Sequence, residues 1–332
     1  MSYFLSKKQI NNNDLFELFH FISRNNINID TLDLSCNLID DGAIDIMRHV
    51  FANSIVSVKN LILDANNIKY SLIFPFLNAF ERISMVGSAR VSSITQFDHF
   101  LVLTKTKHVS LQLNNLELEV LMSTFIRNGE YFDCSLISLM LTSYSMHYYH
   151  LENFGLFLKR LQLQSLRLDF FYIPDCVLTS LHNLTSVEFV YCDFDMEVFC
   201  ANVLISSRCR IKSLVIKKLL YEPLWMINIS SMLALPLYSL KSLTLDGKMT
   251  KGAYRTLMFH LNTKTSLLSN LMIDTDFKDW KYDSYINIVK MFIIASASMI
   301  KRISNRSAMR RLPIDMVRMV ADLFCHKNEN EY

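Results

Sequence analysis

Glycine and proline are nearly missing from this chain, with 6 and 5 residues in 332. Such scarcity argues against long flexible linkers and against an all-β sandwich, whose many tight turns use both residues. It also leaves no Gly-rich cradle for a phosphate. No G-x-x-x-x-G-K, G-x-S-x-G or H-E-x-x-H stretch occurs, so the sequence offers no P-loop, nucleophile elbow or zincin helix. Neither charge sign dominates. Lys and Arg number 34 against 31 Asp and Glu, and a formal charge of +3 is too near balance to mark a nucleic-acid footprint.

Cysteine pairs are also lacking. The seven cysteines are scattered and none falls in a C-x-x-C motif, which suits free thiols in a reducing compartment better than a disulfide framework. The opening MSYFLSKKQINNND has no ten-residue apolar run and no small-residue cleavage site, so no secretory signal is expected. The longest apolar run near the C-terminus, 291–300, is about half of what a bilayer crossing needs. These features predict a cytoplasmic protein, with a nuclear location left open, and no membrane span.

Metal and thiol chemistry find little support. His147 and His150 have a spacing that a metal uses, with Glu152 nearby, but no further ligand completes a tetrahedral set. Cys325-His326 lacks an orienting third group. No cofactor, metal or catalytic residue is assigned, and the expected protein is not an enzyme.

What the chain does have is a period. In IDTLDLSCNLIDDGAIDIM (29–47) an alternating segment passes through Asp-Asp-Gly into apolar residues at helical spacing, Ile44, Met47 and Phe51. The alternating doublet recurs as Leu32/Leu34, Leu61/Leu63, Ile83/Met85, Leu111/Leu113, Leu139/Leu141, Leu166/Leu168, Val187/Phe189, Leu214/Ile216, Leu243/Leu245 and Leu271/Ile273. Successive members lie 29, 22, 28, 28, 27, 21, 27, 29 and 28 residues apart. An apolar residue sits three positions before every doublet except the fourth, where His108 stands. Two units are too short for a full helix, and 3₁₀ turns or extended chain are expected there.

With IDTLDLSCN and VKNLILDAN in view, the chain resembles the leucine-rich-repeat proteins of the ribonuclease-inhibitor-like kind. The resemblance implies an α/β solenoid, a horseshoe of about ten repeats, with parallel strands on the concave face and helices or 3₁₀ turns on the convex one. Later units replace the pattern's Asn, for example by Tyr144, Phe171 and Cys192; Phe171 is expected to be buried there.

The domain boundaries follow from this pattern. Residues 1–28 are read as an N-terminal capping helix, with Leu15, Leu18, Phe19 and Ile22 on one stripe behind an Asn13-Asp14 cap. Repeats occupy 29–280, a closing helix 281–305, and a basic Leu-Pro helix tail 306–332. In that tail Leu312, Pro313, Met316, Val317, Val320 and Leu323 form a helix start and an apolar stripe. The stripe resembles the opening helix of an F-box, which implies docking on a Skp-type adaptor of a ubiquitin ligase. An amphipathic helix that merely finishes the cap is the other reading. The tail's Lys and Arg residues leave an anionic membrane or nucleic acid as a further partner class, although nucleic acid is not favoured.

Candidate contact residues cluster mid-chain. Tyr148, Tyr149, Phe170, Tyr172 and Tyr191 follow strands five to seven, beside Arg167, Asp169 and Glu188. Tyr and Arg on one rim are what protein-interaction hot spots are made of. The expected function is a protein-protein interaction scaffold, in its sharper form a ubiquitin-ligase substrate receptor. The alternative is a regulator of a small GTPase, since activating proteins for the Ran GTPase share this repeat.

Overall fold

An apolar-x-apolar doublet on a strand exposes one greasy row, and that row must be covered from behind. In the computed structural model of the chain the described crossovers cover it with α-helices in some units and 3₁₀ or single helical turns in others. The structure describes residues 1–52, 55–69, 73–87, 105–113, 120–121, 123, 136–143, 152–221, 225, 228–229, 239–249 and 270–274. The chain divides into two compact units, Met1–Asp276 and Phe277–Tyr332; the second, with the expected closing helix and Leu-Pro tail, lies outside the described residues.

Strands β1 (Ser2–Phe4), β2 (Ile29–Asp33), β3 (Val58–Ile62), β4 (Arg82–Met85), β5 (His108–Leu113), β6 (Ser138–Ser143) and β7 (Ser165–Asp169) lie side by side in chain order. A two-residue strand β8 (Tyr172–Ile173) leaves that layer. It pairs in parallel with β10 (Asp193–Phe194) in a separate two-stranded sheet, while β9 (Ser186–Val190) takes the place beside β7. Then β11 (Ser213–Tyr221), β12 (Ser242–Met249) and β13 (Asn270–Asp274) complete an eleven-stranded sheet. Every pairing in it is parallel. The fold is a solenoid-like α/β arrangement, because a parallel neighbour needs a crossover and each crossover here returns to the adjacent position.

The crossovers match the chain available. Helices α1 (Asn12–Arg24), α2 (Ile44–Ala52) and α3 (Glu152–Arg160) occupy long units. Ile44, Met47 and Phe51 are all buried, as their spacing predicts. The 22-residue unit holds a 3₁₀ segment, Phe74–Ala79. The 21-residue unit holds one helical turn, α4 (Asp175–Leu178), and a 3₁₀ turn, Leu181–Asn183. Gly155 lets α3 approach that turn closely: a Cβ there would stand 2.9 Å from both Cys176 O and Ser180 Oγ. The unit after β9 carries α5 (Met196–Phe199), which runs into a π-helical turn, Cys200–Leu204. Aromatic rings carry the core between units. Phe51 packs edge-on against Phe19 at 5.2 Å and against Phe80 at 4.8 Å.

Two expectations change. Residues 1–28 are a strand and a helix rather than a capping helix alone. Tyr3 pairs with Leu32, 29 residues on, so β1–α1 follows the same plan as later units. The helix is capped by Asn11, whose side chain accepts from the N–H groups of Asn13 and Asp14 while Asp14 reaches back to Asn11 N. That reciprocal box satisfies donors that an Asn13-Asp14 cap would leave open.

The second change is in β5. Ile83 pairs with Val109 and Leu139 also pairs with Val109, so the doublet is Val109/Leu111, not Leu111/Leu113. His108 then faces outward and is no exception. The position three before the doublet belongs to Thr106, fully buried, whose hydroxyl donates to Leu77 O at 2.8 Å and Phe80 O at 3.0 Å. A slip of two residues preserves inward and outward faces, so alternation alone does not detect it.

Candidate functional site

Beyond the second inward residue the chain turns away from the sheet in six of the described units, and the turn is built alike in them. Four residues after the first inward position, φ is positive at Lys7 (57°), Cys36 (55°), Ala65 (54°), Gly87 (75°), Phe170 (64°) and Tyr191 (53°). This left-handed turn brings the next residue beneath the sheet. There Asn37 Oδ1 accepts from Lys8 N and Ile10 N, and its Nδ2 donates to Leu5 O and Leu34 O. Asn66 repeats the pattern one unit on, accepting from Asn37 N and Ile39 N and donating to Leu34 O and Leu63 O. Buried amides thus satisfy turn groups that water does not reach.

Mid-chain the same position is filled differently. Phe171 is buried, as expected, and contributes bulk only. Cys192 donates its thiol to Leu168 O at 3.0 Å. Burial pushes the Cys192 thiol up to about 12, and burial with Asp195 and Glu197 does the same at Cys200. Both therefore stay protonated and unreactive at neutral pH. The other described cysteines, Cys36, Cys176 and Cys209, are free thiols.

The outward strand face carries an ion ladder. Arg167 grips Asp169 with two hydrogen bonds, Nε to Oδ1 at 2.9 Å and a terminal nitrogen to Oδ2 at 3.1 Å, and its other terminal nitrogen lies 3.3 Å from Glu188. Thr142 donates to Asp169 from the preceding strand. The Asp169 hydrogen bonds raise the Arg167 pKa against the opposing effect of burial, and the charges of Asp169 and Glu188 add to the rise. Asp169 is 4% exposed, so it holds Arg167 in place and is not itself available to a partner. This corrects its reading as a contact residue. Lys217 and Asp246 form a similar cross-strand pair at 3.2 Å.

The aromatic candidates divide. Phe170 and Tyr191 are brought together, half-buried, with ring centroids 5.2 Å apart, and Tyr172 is exposed on β8, opposite Asp193. Both Phe170 and Tyr191 occupy left-handed backbone that bulky side chains disfavour. The next unit continues this rim with Lys218, whose ammonium lies 3.6 Å from the Trp225 ring centre. No periodic signal pointed to that pair, because Trp225 lies outside the strand repeat. Tyr148 and Tyr149 lie outside the described residues, as do Leu312, Pro313, Met316, Val317, Val320 and Leu323, the His147/His150 pair and Cys325-His326.

Compared with protein-family models and with curated proteins, the chain gave no match to either. At the other end of the rim, small residues replace the aromatics. Ala65 and Gly87 line a shallow cavity of about 350 Å³ with Asn37, Leu38, Asp40, Asn66 and Asn67. Leu38 is 63% exposed at its mouth. Among the described residues no group of three or more metal-ligating side chains converges, and no helix is long and apolar enough to cross a membrane.

Proposed function

We propose that the chain is a leucine-rich-repeat protein, with the strand face as the concave wall of a horseshoe, and that it acts as a non-catalytic scaffold for a partner protein. The in-register parallel strands and the amide ladder of Asn37 and Asn66 support the repeat assignment. The observation that carries the binding reading is the Phe170–Tyr191 pair. Two large, half-buried aromatics are held at strained turn positions, where Cys36, Ala65 and Gly87 serve in three other units of the same row. Strain is kept where a side chain has work besides packing, and Tyr and Arg are typical anchors of protein interfaces. Arg167 lies on the strand that leads into Phe170, already desolvated on one side and oriented by Asp169.

Affinity capture with the full chain, compared with Phe170→Gly/Tyr191→Gly and read by mass spectrometry, tests this. A partner retained by the wild type and lost by the double variant supports it; equal capture by both removes the rim from the reading. The extension to a ubiquitin-ligase substrate receptor rests on the Leu312-Pro313 segment. It requires that Leu312→Ala/Pro313→Ala abolish capture of a Skp-type adaptor.

A further inference from the structure

The opposite rim, where chain enters the strands, is charge-balanced in one half and cationic in the other. Two residues before each first inward position, Asp30, Lys59, Glu81 and Lys107 stand in a row across β2 to β5. Glu81 bridges both ammonium groups, at 3.4 and 3.5 Å. From β7 to β12 that row reads Gln164, Thr185, Lys212 and Lys241, and the row beneath it Gln162, Asn183, Arg210 and Ser239. These eight places hold no carboxylate.

Arg208 extends the basic run, and exposure alternates along 208–212. Arg208, Arg210 and Lys212 are exposed, while Cys209 and Ile211 are buried. The backbone beneath them is held on both sides: Arg210 N donates to His182 O, Lys212 N to Thr185 O, and Lys241 N to Lys212 O. Among the described residues, Arg208, Arg210 and Lys212 have no ion-pair partner.

We infer that this rim binds an acidic segment of a polypeptide. Arg210 and Lys212, two residues apart on the chain that enters β11, follow a spacing of about 6.6 Å when extended, the repeat of same-side carboxylates on an extended peptide, while Arg208 precedes them in the turn closed by Cys209 N donating to Ser206 O. The flanking amides of Gln162, Gln164 and Asn183 add donors for oxyanions. Neither row offers an exposed aromatic for base stacking or a large exposed apolar group for a lipid interface. The surface is separate from the aromatic rim, and the inference stands or falls independently of it.

Fluorescence anisotropy of labelled hexaglutamate with the full chain tests the inference, with hexaglutamine, oligothymidylate and phosphatidylserine vesicles as parallel probes. Hexaglutamate is expected to bind at low ionic strength, more weakly as salt is added, and about tenfold more weakly to R208Q/R210Q/K212Q. K59Q/K107Q is expected to bind as the wild type does and controls for general loss of positive charge. The inference is overturned if the triple variant binds hexaglutamate unchanged. It is equally overturned if both variants lose binding alike, or if oligothymidylate or vesicles bind more tightly through the same three residues.

Discussion

The Cys192 thiol reaches Leu168 O at 3.0 Å, the place in its unit that the Asn66 amide takes at Leu34 O at 2.8 Å. One sulfur thus stands in for one arm of an amide. The substitution works because the acceptor is the same inward Leu carbonyl of the preceding strand. Cys192→Ala removes the only side-chain donor described at that carbonyl and leaves it buried. The expected cost is about 1–2 kcal/mol in urea titration. Cys192→Ser keeps a donor and should recover part of it. Equal loss from both would mean that the sulfur's bulk matters, not its bond.

The β5 register has a sharp mutational signature. Thr106→Val strips the hydroxyl from two buried carbonyls, Leu77 O and Phe80 O, and is expected to cost roughly 1–3 kcal/mol. His108→Ala, on the outward face, is expected to change stability by less than about 0.5 kcal/mol. If the two sensitivities were reversed in thermal or urea unfolding, the doublet would be Leu111/Leu113 after all.

The aromatic rim separates stability from binding. Glycine adopts positive φ without a Cβ penalty, which favours Phe170→Gly and Tyr191→Gly by about 1 kcal/mol each, while losing the ring pair costs about 0.5–1.5 kcal/mol beyond the apolar area that the two half-buried rings give up. The double variant should therefore unfold cooperatively at a modestly lowered midpoint and still lose its partner. A strongly lowered midpoint would make the rings structural.

Asp64 is expected to show its burial as a pH effect. Desolvation raises its pKa, against the lowering hydrogen bonds from Val86 N and Ser84, with Asp33 adding to the rise. An acid with a raised folded pKa favours the fold while protonated. Its contribution is therefore lost as pH climbs from the ordinary Asp value of 3.8 through the raised one. Both hydrogen bonds end on Oδ1, so Asp64→Asn can keep them. Melting curves should show the variant gaining on the wild type between acid and neutral pH. A constant gap across that range would rule out the burial effect.

Much of the architecture was legible in the residues. The doublets mark the strands, the apolar position before each is buried wherever it is described, and the short units carry the 3₁₀ turns their length dictates. The strand Ser2–Phe4 escaped notice because three residues hold no period. Its Tyr3 also takes the inward place without being fully buried, having a sheet neighbour on one side only among the described residues. Of the candidate site, the clustering of Arg167, Glu188, Phe170 and Tyr191 was visible. Their division into an internally paired ion ladder and a strained aromatic pair was not.

That boundary has a physical cause. Sequence by itself determined which side chains must leave water, since alternation on strands and helical spacing on crossovers are local properties of covalent geometry. Only the tertiary structure decided which residues stand beside one another across strands. A two-residue shift leaves the inward pattern intact and changes every lateral neighbour. Whether Arg167 meets Asp169 and Glu188, whether a cysteine reaches a carbonyl, and whether cations on a rim find carboxylates are set by those neighbours alone.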